Sequence, residues 1–211
     1  MAMLNDAIIA FATFFATIGP PDAAIVFAAL TAKNTPRERL GIAVKAVLVA
    51  ALILLFFAFL GKPLLTYLGI SLAAMRTAGG ILLLLIAIDM VFARNSGATS
   101  TTEEEETEAA ARDDVSVFPL ATPLIAGPGA IGVAILLVAQ ADGDPRQIAP
   151  VVGALLAVLA TTFLLMLAAS RVQRLLGVTG VHVLMRVMGI LLAALAVQFL
   201  FDGIVESGVF S

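Results

Sequence analysis

The chain has 211 residues, 61% of them hydrophobic and 13% charged, with a formal net charge of −3. A soluble domain carries about a quarter charged residues, so a water-soluble globule fits poorly, and the excess of acid leaves no basic face for nucleic acid. With no Cys and a single His, His182, a disulfide framework, a thiolate metal site and a multi-histidine site within one chain are excluded.

Run length is the strongest signal. A membrane-spanning helix needs roughly 20 mostly apolar residues, and six stretches reach that length: 4–30, 42–61, 68–92, 117–140, 148–169 and 181–201. Segments such as "AVLVAALILLFFAFLG" and "GGILLLLIAIDMVFA" leave no polar face for water. The expected fold is therefore an all-α, polytopic membrane protein with six transmembrane helices and the lipid bilayer as its first partner.

In the first stretch there is no basic leader region, since the first Lys or Arg is Lys33, so it reads as a span and not as a removable signal peptide. It is interrupted by Gly19, Pro20, Pro21 and Asp22. The second stretch is uninterrupted. The third follows "YLGIS", contains "MRTAGGILL" with Arg76 and Gly79-Gly80, and carries Asp89 near its end. After it comes "ARNSGATSTTEEEETEAAARDD", acidic and poor in large apolar residues, which reads as a solvated cytoplasmic linker over 93–116.

The fourth stretch is interrupted again, at Gly127, Pro128 and Gly129, with Pro123 adding a further break. The fifth is plain. "LLGVT" precedes the sixth, "MRVMGILLA" with Arg186 and Gly189 lies within it, and Gln198 and Asp202 stand near its end. His182, at its start, reads as an interfacial residue.

The two halves match. Gly19-Pro20 corresponds to Gly127-Pro128 and "YLGIS" to "LLGVT", each at an offset of 108 residues (127 less 19). Met75, Arg76 and Gly79 correspond to Met185, Arg186 and Gly189 at an offset of 110 (185 less 75). The chain thus divides into a three-span repeat at 1–92, the linker at 93–116, and a second three-span repeat at 117–211. Three is odd, so the second repeat enters the membrane inverted, the architecture of many secondary transporters. Lys33, Arg37, Arg39, Lys45, Arg94, Arg112, Arg171 and Arg174 share one side, against Lys62 and Arg146 on the other. Positive charge marks the cytoplasm, which places both termini outside.

Proline removes a backbone donor and clashes with the carbonyl four residues back, while glycine permits unusual dihedrals. Spans 1 and 4 are therefore expected to be broken helices, with the breaks meeting near mid-membrane because freed backbone groups cannot face lipid. Interrupted spans at corresponding positions are the best sequence pointer to a substrate site. This nominates Gly19, Pro20, Pro21, Asp22, Gly127, Pro128 and Gly129 as substrate-binding. The half-helix N-termini there would offer N–H donors to an anionic group.

Asp22, a carboxylate at membrane depth, is a functional candidate: it could bind a cation, relay a proton or meet an amine. It could equally cap the half-helix or pair with Arg76 or Arg186, and the three are grouped as coupling or charge partners. Thr13, Thr17, Ser71, Thr77 and Thr122 could satisfy broken backbone or line a path.

Three segments carry a family resemblance: "FLGKPLLTYLGISLAAMRTAGGILLLLIAIDMVF" at 59–92, "PLATPLIAGPGAI" at 119–131 and "TGVHVLMRVMGILLAALAVQFLFDGI" at 179–204. With them the chain resembles the MarC family of bacterial and archaeal inner-membrane proteins, grouped with the LysE-type exporters. The likeness implies six spans and a prokaryotic plasma-membrane location. Some archaeal relatives look like transporters of small neutral amino acids. The family pattern at the first break is Asn-Pro-x-Gly, whereas this chain reads Gly19-Pro20-Pro21-Asp22: an amide is lost and a carboxylate gained.

The function expected is secondary transport of a small solute, a neutral amino acid or related metabolite, with H⁺ or Na⁺ coupling and no other cofactor or metal. The alternatives are a flippase-like handler of lipid-linked substrates, which would want a phosphate pocket from Arg76 and Arg186, and a non-transporting scaffold using the acidic linker. No nucleophile–base pair or nucleotide loop suggests an enzyme. A homo-oligomer is compatible with the sequence.

Overall fold

The computed structural model describes residues 2–92 and 114–208; most of the predicted acidic linker, 93–113, lies outside the described residues. These form helices α1 (Ala2–Ile18), α2 (Pro20–Leu30), α3 (Pro36–Tyr67), α4 (Leu72–Phe92), α5 (Ser116–Ile125), α6 (Pro128–Gln140), α7 (Pro145–Leu167) and α8 (Ala169–Glu206). No strand occurs among the described residues. Five helical stretches are long and apolar enough to cross a membrane, or six if the bent pair α5–α6 is one span. Spans 1 to 6 are thus α1–α2, α3, α4, α5–α6, α7 and the later part of α8.

Local chemistry sets the boundaries. At the start of α3, Thr35 forms a capping box with Glu38: the Thr35 N–H donates to Glu38 Oε2 at 2.8 Å, the Glu38 N–H to Thr35 Oγ1 at 3.4 Å, and Pro36 occupies the first helical position. Asp144 caps α7 by accepting from the Arg146 N–H at 2.9 Å. Gly69, at φ 70°, makes the turn before α4.

No break in the helix occurs at "LLGVT", the stretch that corresponds to "YLGIS". α8 is one helix from Ala169 to Glu206. No proline falls between 169 and 206 to stop it, and a helix tolerates Gly177 and Gly180 at about 1 kcal/mol each.

Span 1 packs on span 5, span 2 on span 4, and span 3 on span 6. The most extensive of these contacts is between α4 and α8. Its seam is built from small residues seven apart: Ala73, Gly80 and Ala87 on α4, and Gly189, Ala196 and Gly203 on α8, all buried. A Cβ on Gly80 would lie 2.8 Å from the Ala196 carbonyl oxygen, and one on Gly203 2.9 Å from that of Ala73. One on Gly189 would lie 3.1 Å from the Ala87 carbonyl oxygen. The register is antiparallel, and the seven-residue spacing is that of left-handed coiled pairing. Small residues bring the backbones together where lipid offers no hydrophobic driving force.

Neighbouring Gly79 differs, since a Cβ there meets nothing within 4 Å. Gly80→Ala should therefore lower the stability of the detergent-solubilised protein by about 1–3 kcal/mol through overpacking. Gly79→Ala should leave it unchanged or raise it by roughly 0.5–1 kcal/mol. Thermal unfolding of the two variants side by side checks this; equal melting would reject the seam.

Candidate functional site

The first break is sharp and local. Gly19 adopts φ 61°, ψ 60°, the left-handed conformation, and α2 restarts at once with Pro20 and Pro21. The Gly19 N–H donates to the Phe15 carbonyl at 3.1 Å, and the Ala23 N–H to the Gly19 carbonyl at 3.0 Å. Because the two prolines carry no N–H, the carbonyls of Ala16 and Thr17 lose their helical donors. For the same reason, the orphan donors usual at a helix start are reduced here to the Asp22 N–H. The Asp22 carboxylate folds back over the break, with Oδ2 3.2 Å from where a Gly19 Cβ would stand. It is half-buried, with no hydrogen-bond or ion-pair partner among the described residues.

The second break is longer. The α5 segment is irregular, with two extended residues, Phe118 (φ −127°, ψ 127°) and Thr122 (φ −133°, ψ 134°), each followed by a cis proline; the Leu120 N–H donates to the Val115 carbonyl at 3.3 Å and the Ala126 N–H to that of Ala121 at 2.8 Å. α6 restarts at Pro128 after the extended N-cap Gly127, bent by 58° from α5. A Cβ on Gly127 would lie 2.6 Å from the Pro123 carbonyl oxygen, so only glycine fits. Ser116, Leu120, Ala121, Ile125 and Ala126 are buried, which keeps this irregular backbone inside protein, the one place at membrane depth where it is tolerated. The Ile131 N–H reaches the Gly127 carbonyl at 3.0 Å. The amides of Gly129 and Ala130 have no partner among the described residues.

The breaks are thus chemically unlike. Each restarts with glycine at the N-cap and proline at the first helical position. The first presents a carboxylate and one amide; the second presents two amides and no charge.

Ion pairs hold span 4 against α3 at both ends. Lys45 pairs with Asp114 before α5, and Lys62 pairs with Asp142 after α6 at 2.6 Å. From position 45 to 62, α3 advances 17 residues, while span 4 takes 28 from 114 to 142. The irregular, bent segment accounts for the surplus. Both spans run the same way.

Arg76 does not meet Asp22. Its Nη1 lies 3.0 Å from Glu206 Oε2, tying the start of α4 to the end of α8, and its buried Nε has no hydrogen-bond partner among the described residues. Arg186 is exposed on α8. The side chain of His182 is outside the described residues.

α1 packs on α6, and α2 on α5, so the broken spans are neighbours as expected. A Cβ on Gly127 would meet only Pro123 within 4 Å, and one on Gly19 only Asp22. A narrow apolar pocket with no room for a water molecule lies at the second break, lined by Gly79 and Leu83 of α4, Pro128, Gly129 and Val133 of α6, and Phe199 of α8. Residues 19–22 do not line it.

The threonines of span 1 serve their own helix, Thr13 Oγ1 donating to the Ile9 carbonyl at 2.7 Å and Thr17 Oγ1 to that of Thr13 at 2.8 Å. Thr77 does the same to Ala73 at 3.0 Å, and Ser71 caps α4 through the Ala74 N–H at 3.1 Å. Sequence reasoning missed Leu83, Phe199 and Glu206. The first two are ordinary apolar residues in apolar helices and carry no signal. Glu206, an acid just past the last apolar run, could have been matched to Arg76.

Two predictions follow from this geometry. The Asp114 carboxyl is held down at about 2, chiefly by the hydrogen bond from Lys45 and then by Ser116. A carboxyl held below its unfolded value of about 3.9 stabilises the fold above that value and loses the contribution as pH falls towards 2. With the side chains 53% and 49% exposed, the pair is worth at most about 1 kcal/mol. Asp114→Asn should therefore melt slightly below the wild type at pH 7, and the gap should close by pH 2 in a thermal-shift titration. Gly127→Ala should cost more, about 1–3 kcal/mol, because its new methyl meets backbone; a melting point equal to that of the wild type would refute the packing described for this break.

The sequence matches the model of the MarC family integral membrane proteins over residues 4–207. It is 41% identical over 197 residues to the UPF0056 membrane protein MJ1677 of Methanocaldococcus jannaschii, covering 93% of this chain and 95% of that one. To the UPF0056 inner membrane protein YhgN of Escherichia coli K12 it is 34% identical over 201 residues, covering 95% and 97%. The UPF0056 membrane protein YvbG of Bacillus subtilis is similar at 34% over 194 residues, covering 92% of each chain. No solved structure matches.

Proposed function

The chain belongs to the MarC family of integral membrane proteins, and we propose that it is a secondary transporter of a small solute, of the class of a neutral amino acid. The observation that carries this reading is the pair of broken spans, α1–α2 and α5–α6, each restarting at a glycine N-cap and a proline. Half-helix ends inside the bilayer are how such proteins hold ions and polar groups without water.

The unlike chemistry of the two breaks suits a zwitterion or a co-transported cation. The free amides of Gly129 and Ala130, at the positive end of α6, suit a carboxylate. The unpartnered Asp22 suits an amine, or couples H⁺ or Na⁺. Gly19, Pro20, Pro21, Gly127 and Pro128 shape the two ends.

The helix pairs support an inverted repeat. Exchanging spans 1–3 with spans 4–6 turns the 1–5 pair into the 4–2 pair and returns the 3–6 pair to itself. The charge bias places both termini outside a prokaryotic plasma membrane. Lys45–Asp114 then marks the cytoplasmic face, and Lys62–Asp142 and Arg76–Glu206 the outer one. The lipid-substrate alternative is less favoured, because Arg76 is engaged by Glu206 and Arg186 stands exposed, leaving no joint phosphate pocket from the two.

The test is uptake of a panel of labelled small amino acids into vesicles of purified protein, with and without an imposed H⁺ or Na⁺ gradient. Wild type should show saturable, gradient-driven uptake, lost on Gly127→Leu. Asp22→Asn should abolish gradient dependence. Uptake indifferent to both substitutions would sink the mechanism, and no uptake by folded wild type would sink transport of this class.

A further inference from the structure

We infer that the helices form two bodies, the α4–α8 pair and the four spans α1–α2, α3, α5–α6 and α7, and that the cleft between them is a water-accessible solute path, shut in this structure. The inference takes its solute from the transport reading above, but not its geometry.

The division follows from how the helices are joined. Within the α4–α8 pair, Gly80, Gly189 and Gly203 put each helix against the other's backbone atoms, and Arg76 and Glu206 close the outer end at 3.0 Å. Such a seam cannot slide without atoms colliding. The four-span body is held differently. Lys45–Asp114 and Lys62–Asp142 fasten α3 to span 4 at both ends. Gly61 of α3 receives Ile135 of α6, whose Cγ1 is 2.5 Å from where a Cβ would be. α7 lies against α1, α2 and α3.

Contacts between the two bodies are sparser and depend on flexible side-chain ends. A Cβ on Gly129 of α6 would meet the Ile86 Cδ1 at 2.5 Å, and one on Gly132 the Met75 Cε at 3.8 Å. Ile86 and Met75 belong to α4; both terminal methyls can turn aside by rotamer change.

The pocket sits on this boundary. Gly79, Leu83 and Phe199 contribute one wall from the α4–α8 body, and Gly129, Gly132 and Val133 the other from α6. A side chain at Gly79 would point into space, with nothing within 4 Å of its Cβ, although the residue is buried. The walls are apolar and carry no charge, which suits the aliphatic part of a small solute whose carboxylate is held at the α6 end. Rocking the α4–α8 pair would widen the cleft without breaking its own seam.

The protein has no Cys, so single cysteines report accessibility cleanly. Gly79→Cys and Val133→Cys, each in full-length protein in vesicles, should react with a membrane-impermeant thiol reagent at least tenfold faster than Ala50→Cys, which is buried inside the four-span body. Folding of each variant is checked by its elution profile and melting temperature. Folded Gly79→Cys and Val133→Cys proteins as inert as Ala50→Cys would overturn the inference. In the uptake assay, Gly79→Leu should reduce transport at least tenfold while melting like the wild type; wild-type uptake by this variant would also overturn it. Reactive cysteines in a protein that moves no amino acid would keep the cleft and defeat the transport reading, so the two fail separately.

Discussion

In hydrocarbon, an unpaired backbone N–H or C=O costs several kcal/mol, and water cannot relieve it. Every irregular feature of this fold answers to that constraint. Two prolines in α2 and two in α5 strip donors from the ladder, and glycines at 19 and 127 turn the chain where it can no longer be helical. Such segments cannot face lipid. They lie between the straight spans α3, α7 and α8, whose outward faces carry exposed Leu, Ile and Phe. The regular helices thus form the wall that makes the irregular ones affordable.

The two breaks solve the same problem unequally. At the first, consecutive prolines leave one amide, and Asp22 supplies a negative charge at the positive helix end. At the second, the Gly129 and Ala130 amides have no partner among the described residues, and apolar Ile86 and Leu83 stand beside Gly129. Matched breaks do not require matched chemistry. The charge thus falls on the first break alone, at Asp22.

Much of this was legible in the residues. Run length located the spans to within a few residues, and the two Gly–Pro interruptions were visible as violations of an otherwise apolar pattern. The neighbouring placement of spans 1 and 4 followed from the need to hide broken backbone. What was not legible depends on tertiary partners. Run length marks the apolar span but not where the helix begins: α8 runs back to Ala169 through a polar, glycine-containing stretch that no proline interrupts. Of the α4–α8 seam, Gly80 and Gly189 stand out as glycines in apolar runs, but Ala73, Ala87 and Ala196 are lost among many alanines. The partner of Arg76, Glu206, lies 130 residues on (206 less 76), beyond any periodic signal.

The two lysine–aspartate pairs also act as a ruler. Lys45 and Lys62 lie 17 residues apart on one straight helix, about 25 Å at 1.5 Å per residue, close to the roughly 30 Å of a hydrocarbon core. Their charged ends can snorkel a few ångströms outward to meet the headgroups. A markedly thicker bilayer would draw those charges into hydrocarbon or tilt α3, and tilting α3 tilts the span riveted to it, the one that carries the second break. Hydrophobic mismatch is thereby wired to the geometry of the site, making the acyl-chain length of the host membrane a setting of the protein's working parts.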